Sequence, residues 1–335
     1  MPTIPDTKGS SNSPNTEAEQ HKLKHIKVYL TGYGPFPGIA ENPSGQMANS
    51  LLPETCISIH LNSHFTLKIT IHPHSTPIRV AYADVERIVS EIYTTESFDY
   101  ILHVGVGLGG GFELEKIAYG DGYYMGDVDG LLPGGKEAKS DYELKNEGLL
   151  RHWGGDGSIG PTQDVPMETG LDVDWIVKMV LNGKIKLFEG ADGEERGYTA
   201  ALDQAPVTEG ATTAPKKASN NKELRKSKGY KIRPSKDAGR YLCEYIYRKS
   251  LEQAISRCEK GGRKPWDWRH DTLAEEFPAR KTRSEGNISK RVLFMHVPPV
   301  GNLYTVAEDV DCLKQVVVGM VLDGEGLRKN LDDFS

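Results

Sequence analysis

The chain has 335 residues, of which 37% are apolar, and its formal net charge at pH 7 is −6. This length and apolar content are enough for a sizeable core in one large domain or two ordinary ones. The mild acidity gives no basis for general binding to nucleic acid or to anionic membrane surfaces. The N-terminal region has no apolar run like that of a signal peptide, and no window elsewhere approaches the ~18 apolar residues of a membrane helix.

The cysteines are widely spaced and form no CxxC pair, which argues against a zinc knuckle and against a small disulfide scaffold. We therefore expect reduced thiols and a cytoplasmic protein. The four cysteines are Cys56, Cys243, Cys258 and Cys312.

The first third of the chain alternates between strand and helix patterns. Residues 1–24 are polar and predict a disordered N-terminal tail. The strand "KVYLT" (27–31) follows and runs into "GYGPFPG", which is too rich in Gly and Pro to continue it. A second strand is predicted over 66–72, an amphipathic helix over 80–93, and a buried strand over 100–104.

The same alternation resumes after residue 165. Continuous apolar strands between amphipathic helices indicate a three-layer α/β/α fold with a doubly wound, mostly parallel sheet. We expect one domain over residues 25–330. The later elements are helix 171–181, strand 229–233, helix 240–257, strand 291–297 and helix 306–321.

Three polar stretches do not fit this compact sheet and predict surface insertions: residues 131–165, 185–228 and 259–289. The middle one has little periodicity and is predicted to be disordered.

Loops at the carboxyl ends of parallel strands line the ligand crevice of such a sheet. Glu115 lies in "GVGLGGGFELEK" after strand 100–104, and Cys243 lies in "PSKDAGRYLC" after strand 229–233. His296 ends strand 291–297, just before two prolines. If the strands are parallel, these three side chains converge on one rim.

A cysteine, a histidine and a carboxylate form a nucleophile, its base and the group that orients the base. The positive end of a helix and a neighbouring imidazolium both favour a thiolate. If Gly239 opens the helix, Cys243 lies in its first turn and the helix dipole stabilises its thiolate. If Ser235 is the N-cap, Cys243 lies two turns in and this stabilisation is small. The residues alone leave open that Cys243 is inert core and His296 structural.

Two other site types have partial support in the residues. "GVGLGG" (105–110) satisfies GxGxxG after a predicted strand, with Asp127 and Asp129 about twenty residues on. A dinucleotide site would need a helix to open at Gly107, whereas the following residues break again at Gly120 and Gly122.

A metal site could recruit several histidines, and the basic stretch 259–289 with its two tryptophans could contact RNA or acidic partners. Exposed histidines and a solvated loop are the simpler interpretations. The histidines are His60, His64, His72 and His74.

Four sequence blocks together resemble the signature blocks of pyroglutamyl peptidase I, a cytosolic cysteine peptidase of the α/β/α type. The last two resemble the animal enzymes almost residue for residue. The blocks are "VYLTGYGPFPGIAENPSG" (28–45), "LHVGVGLGGGFELEKIAYGDGY" (102–123), "SKDAGRYLCEY" (235–245) and "HVPPVGNLY" (296–304).

The resemblance implies removal of an N-terminal pyroglutamyl residue from small peptides, without a metal or cofactor. The mild net charge predicts no nucleic-acid or membrane partner. It implies Cys243 as the nucleophile, His296 as its base and Glu115 as the orienting carboxylate. It also implies that Tyr33 and Phe36 cover the pyroglutamyl ring and that Asn42 hydrogen-bonds to it. The neutral lactam needs apolar faces and a few hydrogen bonds.

The sequence departs from the family at positions that border the substrate pocket. The glycine loop before Glu115 is one residue shorter, Gly120 and Val128 replace a common Asn, and Gly45 replaces a common aromatic residue. These departures leave open the alternative that the protein is an inactive relative of the family and uses the pocket only for binding.

Overall fold

A computed structural model of the chain describes residues 22–51, 55–62, 65–95, 98–107, 110–140, 143–144, 165–183, 185–189, 198–202, 229–259, 291–301 and 303–328. Within these ranges, no helix is both long and apolar enough to cross a bilayer. Most of the predicted tail, residues 1–21, lies outside the described residues. The first strand begins at Lys22, so the predicted tail extends three residues too far.

The described residues contain eleven strands and five helices. The strands are β1 Lys22–Thr31, β2 Thr55–Asn62, β3 Phe65–Pro73, β4 Tyr100–Val106, β5 Phe112–Glu115, β6 Ile117–Ala118, β7 Met167–Glu168, β8 Ile185–Glu189, β9 Tyr198–Leu202, β10 Ile232–Ser235 and β11 Val292–Val297. The helices are α1 Pro43–Ser50, α2 Tyr82–Thr95, α3 Val173–Leu181, α4 Leu242–Glu259 and α5 Val306–Gly324.

In the described part of the chain, nine strands form one mixed sheet in the order β10-β5-β11-β4-β1-β3-β2-β9-β8. The central strands β3, β1, β4 and β11 are mutually parallel. On one side, β5 and β10 run opposite to β11. On the other side, β2 runs opposite to β3.

Helices cover both faces of the sheet, which confirms the predicted three-layer α/β/α domain. One apolar cluster joins α1, α3 and α5 to β4 through residues such as Met47, Ile176 and Leu102. A second joins α2 and α4 to β11 through residues such as Ile246 and Phe294. Strands β4 and β11 are buried along their whole length, as strands covered on both faces require.

The predicted insertion over 185–228 is partly wrong. Strands β8 and β9 form an antiparallel pair, and β9 joins β2 to extend the sheet edge. Edge strands depend on backbone pairing more than on a strong apolar pattern, which explains their weak sequence signal. Residues 203–228 and 260–290 lie outside the described residues, and 131–140 form a turn-rich loop closed by a Leu131–Glu137 bridge.

Candidate active site

The histidine and the carboxylate meet across two antiparallel strands. His296 on β11 is directly opposite Glu113 on β5, and Phe294 is opposite Glu115. Glu115 is therefore the diagonal neighbour of His296 on the same sheet face. The expected convergence of parallel strand ends is wrong for Glu115, because β5 runs against β11 and places this carboxylate within the sheet.

The three predicted catalytic side chains lie in one group. His296 Nδ1 lies 2.8 Å from Glu115 Oε1, and both side chains are buried. The Cys243 thiol also interacts with the imidazole and favours its protonated form. Since Nδ1 faces Glu115, Nε2 is the ring nitrogen left for the sulfur. Cys243, His296 and Glu115 are thus brought together as predicted.

The surroundings of His296 favour its protonated form. Burial of the ring lowers the pKa, but interactions with Cys243 and with the hydrogen-bonded Glu115 outweigh it and raise the pKa of His296 well above its usual value. An imidazole with this bias readily accepts the thiol proton and forms an ion pair with the resulting thiolate.

The nucleophile lies in the first turn of a helix. Helix α4 begins at Leu242, after Gly239, while Ser235 ends strand β10. Neither expected start is therefore exact, but Cys243 lies in the first turn, as expected for a helix opened near Gly239. The turn before the helix has positive φ angles of 97° at Gly239 and 50° at Arg240. The N–H groups of a first helical turn have no intrahelical acceptor, and the positive end of the helix dipole lies at this turn.

Sequence reasoning missed a buried ion pair beside the nucleophile. Arg240 Nη1 lies 2.7 Å from both carboxylate oxygens of Glu244, and both side chains are almost fully buried. The Arg240 guanidinium also lies 3.5 Å from the ring centroid of Tyr119. Glu244 accepts hydrogen bonds from the backbone N–H groups of Arg240 and Tyr119. The pair therefore fixes the turn that precedes Cys243, and its i,i+4 spacing was the available signal.

Two glycines let the catalytic side chains approach the sheet. A Cβ on Gly105 would lie 2.7 Å from Cys243 Sγ and 2.8 Å from Phe294 Cζ. A Cβ on Gly107 would lie 2.8 Å from His296 Cβ. The two glycines at the end of β4 are thus required by close packing under the thiol and imidazole.

The three predicted substrate residues lie in one loop, between β1 and α1. Tyr33 is buried, and its hydroxyl donates to the Leu242 carbonyl at 2.7 Å, which ties this loop to the start of α4. Asn42 caps α1: its side chain accepts from Ser44 N–H and donates to the Gly34 carbonyl. Phe36 is half-buried beside the second apolar cluster.

These contacts give Tyr33 and Asn42 a role in holding the loop. Direct contact of Tyr33, Phe36 and Asn42 with a substrate stays a prediction. Phe36 is the most exposed of the three and therefore the best placed to meet one.

The dinucleotide hypothesis is wrong, because the glycine segment does not open a helix. Gly107 follows β4 directly, and Phe112 begins strand β5 rather than a helical turn. A phosphate cradle needs the N–H groups of a helix start at that point.

The four-histidine metal hypothesis also lacks a shared site. His60 Nδ1 pairs with Thr66 Oγ1 and His74 Nδ1 with the Tyr29 hydroxyl, while His64 lies outside the described residues. Across the described ranges, the group with metal-ligand spacing is Glu113, Glu115 and His296, in the candidate site itself.

No family model matches the chain, and neither does any curated protein. Among solved structures, it is similar to the pyrrolidone carboxyl peptidase of the hyperthermophile Pyrococcus furiosus, with 14% identity and a TM-score of 0.45 over 89% of this chain and 100% of that one. It is also similar to pyroglutamyl peptidase I from Bacillus amyloliquefaciens, with 17% identity and a TM-score of 0.44 over 90% of this chain and 97% of that one. Similarity at these TM-scores supports no conclusion about the reaction, so the reaction is inferred from the site.

Proposed function

We propose that the protein is a cysteine peptidase that removes an N-terminal pyroglutamyl residue from small peptides. The observation that carries this proposal is the chain of side chains from Cys243 to His296 to Glu115, in which His296 Nδ1 hydrogen-bonds to Glu115 Oε1. Such a chain at the start of a helix has the parts that acyl transfer needs: a thiol, a base that takes its proton, and a carboxylate that orients the base.

The reaction follows from the order of these groups. His296 takes the thiol proton, and the Cys243 sulfur attacks the pyroglutamyl carbonyl carbon. N–H groups in the first turn of α4 stabilise the oxyanion that forms. His296 then donates the proton to the leaving amine as the C–N bond breaks. Water hydrolyses the thioester, with His296 as its base, and returns the free thiol. No step requires a metal or a cofactor.

The choice of a pyroglutamyl substrate rests on the sequence blocks that resemble pyroglutamyl peptidase I, supported by the surroundings of Cys243. The partly buried side chains of Phe36 and Tyr241 belong to the same apolar cluster as Cys243. Apolar faces of this kind suit a flat, uncharged lactam ring, which loses water on binding. A cytoplasmic location remains part of the proposal.

The test compares hydrolysis of a fluorogenic pyroglutamyl amide with that of the matching prolyl amide, which lacks the lactam carbonyl. We expect turnover of the pyroglutamyl amide alone, and its loss in Cys243→Ala. Cys56 is also a half-buried cysteine, so Cys56→Ala is the matched control and should retain activity. Turnover that survives in Cys243→Ala, or a wild-type protein that hydrolyses neither amide, would overturn the proposal.

A further inference from the structure

A second carboxylate faces His296 from the neighbouring strand. Glu113 is opposite His296 in the antiparallel β5–β11 pairing, so the two side chains lie on one face of the sheet. One carboxylate oxygen from each of Glu113 and Glu115 and one ring nitrogen of His296 all lie within 4.8 Å of one another. The imidazole is therefore next to two negative charges rather than one.

An arginine on the edge strand partly neutralises this second charge. Arg233 on β10 is opposite Glu113 in the parallel β10–β5 pairing. Its Nε donates to Glu113 Oε1 at 2.8 Å, and its Nη2 contacts the same oxygen. The Arg233 side chain is 66% exposed and that of Glu113 is 14% exposed. Arg233, Glu113 and His296 thus form one row across three adjacent strands.

The other elements around His296 add few charges. Helix α4 contributes the Cys243 thiol, and β5 contributes Glu115 and Glu113. Strand β4 and the residue after it present Gly105 and Gly107. His103, also on β4, is uncharged at neutral pH, because burial lowers its pKa to about 3.

We propose that Glu113 and Arg233 are a positioning pair for the candidate base: Glu113 places a second negative charge opposite the imidazole, and Arg233 limits how much of that charge His296 experiences. The pair acts through His296 and does not touch the reacting atoms. This proposal rests on the proposed function for its catalytic consequence, but its effect on the imidazole is independent of the substrate.

The two substitutions should act in opposite directions. Glu113→Gln keeps the side-chain shape but removes a charge that stabilises the imidazolium, so the pKa of His296 should fall. Arg233→Gln removes the neutralising cation, so the pKa of His296 should rise. An opposite charge within about 4–6 Å moves a pKa by about one to three pH units, and solvent screening of the exposed arginine makes its effect the smaller one.

The test follows the histidine ring signals of the full chain by NMR over a pH series, with His296→Ala used to assign His296. A Cys243→Ala background removes the coupled thiol, so the titration reports the imidazole alone. In that background, Glu113→Gln should lower the His296 midpoint by about one pH unit and Arg233→Gln should raise it by less. The double variant should titrate close to Glu113→Gln, because Arg233 without its Glu113 partner is an exposed charge screened by solvent.

The control is Arg87→Gln, which breaks an exposed arginine–carboxylate pair on α2 and should leave the His296 titration unchanged. Unchanged midpoints in both Glu113→Gln and Arg233→Gln, or shifts of the same sign, would overturn the proposal. Since Arg233 is exposed, Arg233→Gln should fold even if Glu113→Gln does not. A His296 midpoint that does not rise in Arg233→Gln would by itself overturn the proposal.

In proteins that keep Cys243, the alkaline limb of the pH profile of kcat/KM should move in the same directions as the His296 midpoint. A protein without peptidase activity but with these midpoint shifts would refute only the proposed function.

Discussion

Replacing Gly105 by alanine tests the close packing on which the candidate site depends. The added methyl would lie 2.7 Å from Cys243 Sγ and 2.8 Å from Phe294 Cζ, both shorter than real Cβ contacts. Phe294 is completely buried and packs against the rings of Tyr247 and His296, so it has no room to move away. The strain must therefore displace the nucleophile or the strand that carries the base.

Overpacking of this kind costs about 1–3 kcal/mol of stability. In a domain of this class, that corresponds to a fall in Tm on the order of 5 °C. Thermal unfolding measures this loss of stability. The kcat for the pyroglutamyl amide measures the displacement of the sulfur, and KM should change less. Gly229→Ala is the matched control, because a Cβ there meets nothing within 4 Å. A Gly105→Ala protein with the Tm and kcat of the control would refute the packing argument.

Three further substitutions probe the site and the core. Arg240→Ala leaves Glu244 as an uncompensated buried charge and should lower the free energy of unfolding in urea by about 3–5 kcal/mol. The exposed Arg87→Ala should lower it by only about 0.5 kcal/mol. Similar losses in the two variants would contradict the buried-pair interpretation. Glu115→Gln should lower kcat by about a hundredfold or more, because the base loses its orienting charge, and undiminished turnover would rule out that role. Burial, aided by Glu308, raises the pKa of Asp309 from 3.8 to about 6. The folded state then holds this proton more tightly than the unfolded state, so the stability contributed by Asp309 falls as the pH rises from about 4 to about 6. Asp309→Asn should therefore raise the Tm at about pH 7.5 and change it little at about pH 4. The same change in Tm at both pH values would contradict a raised pKa for Asp309.

The sequence predicted the central part of this fold because its signal is strong there. Strands β4 and β11 are continuous apolar runs, and a strand covered on both faces must have that pattern. The order of helices and strands then placed Cys243 and His296 in the same region.

Strand direction was not predictable from the same pattern. β5 and β10 have only four residues each, and an apolar pattern is the same read in either direction. Glu115 was therefore expected in a loop at a parallel strand end, whereas it lies in a strand that runs against β11. The row formed by Arg233, Glu113 and His296 could not be predicted for the same reason, because cross-strand neighbours depend on strand direction and register.

The contacts of the substrate-loop residues were also beyond sequence reasoning. Tyr33 was expected at the substrate, but its hydroxyl reaches the backbone of Leu242, more than two hundred residues away in the chain. The ion pair of Arg240 and Glu244 has a recognisable i,i+4 spacing, yet only its burial distinguishes it from an ordinary surface pair.

Activation of the Cys243 thiol by His296 is the step on which the proposed reaction depends most. Alkylation with iodoacetamide at about pH 6, followed by peptide mapping, measures this without a substrate. Cys56, which is also half-buried but lies on β2, serves as the internal reference. We predict that Cys243 is alkylated at least about tenfold faster than Cys56, and that His296→Ala removes this difference. Equal alkylation rates for the two thiols, or a fast reaction of Cys243 that persists in His296→Ala, would contradict the account.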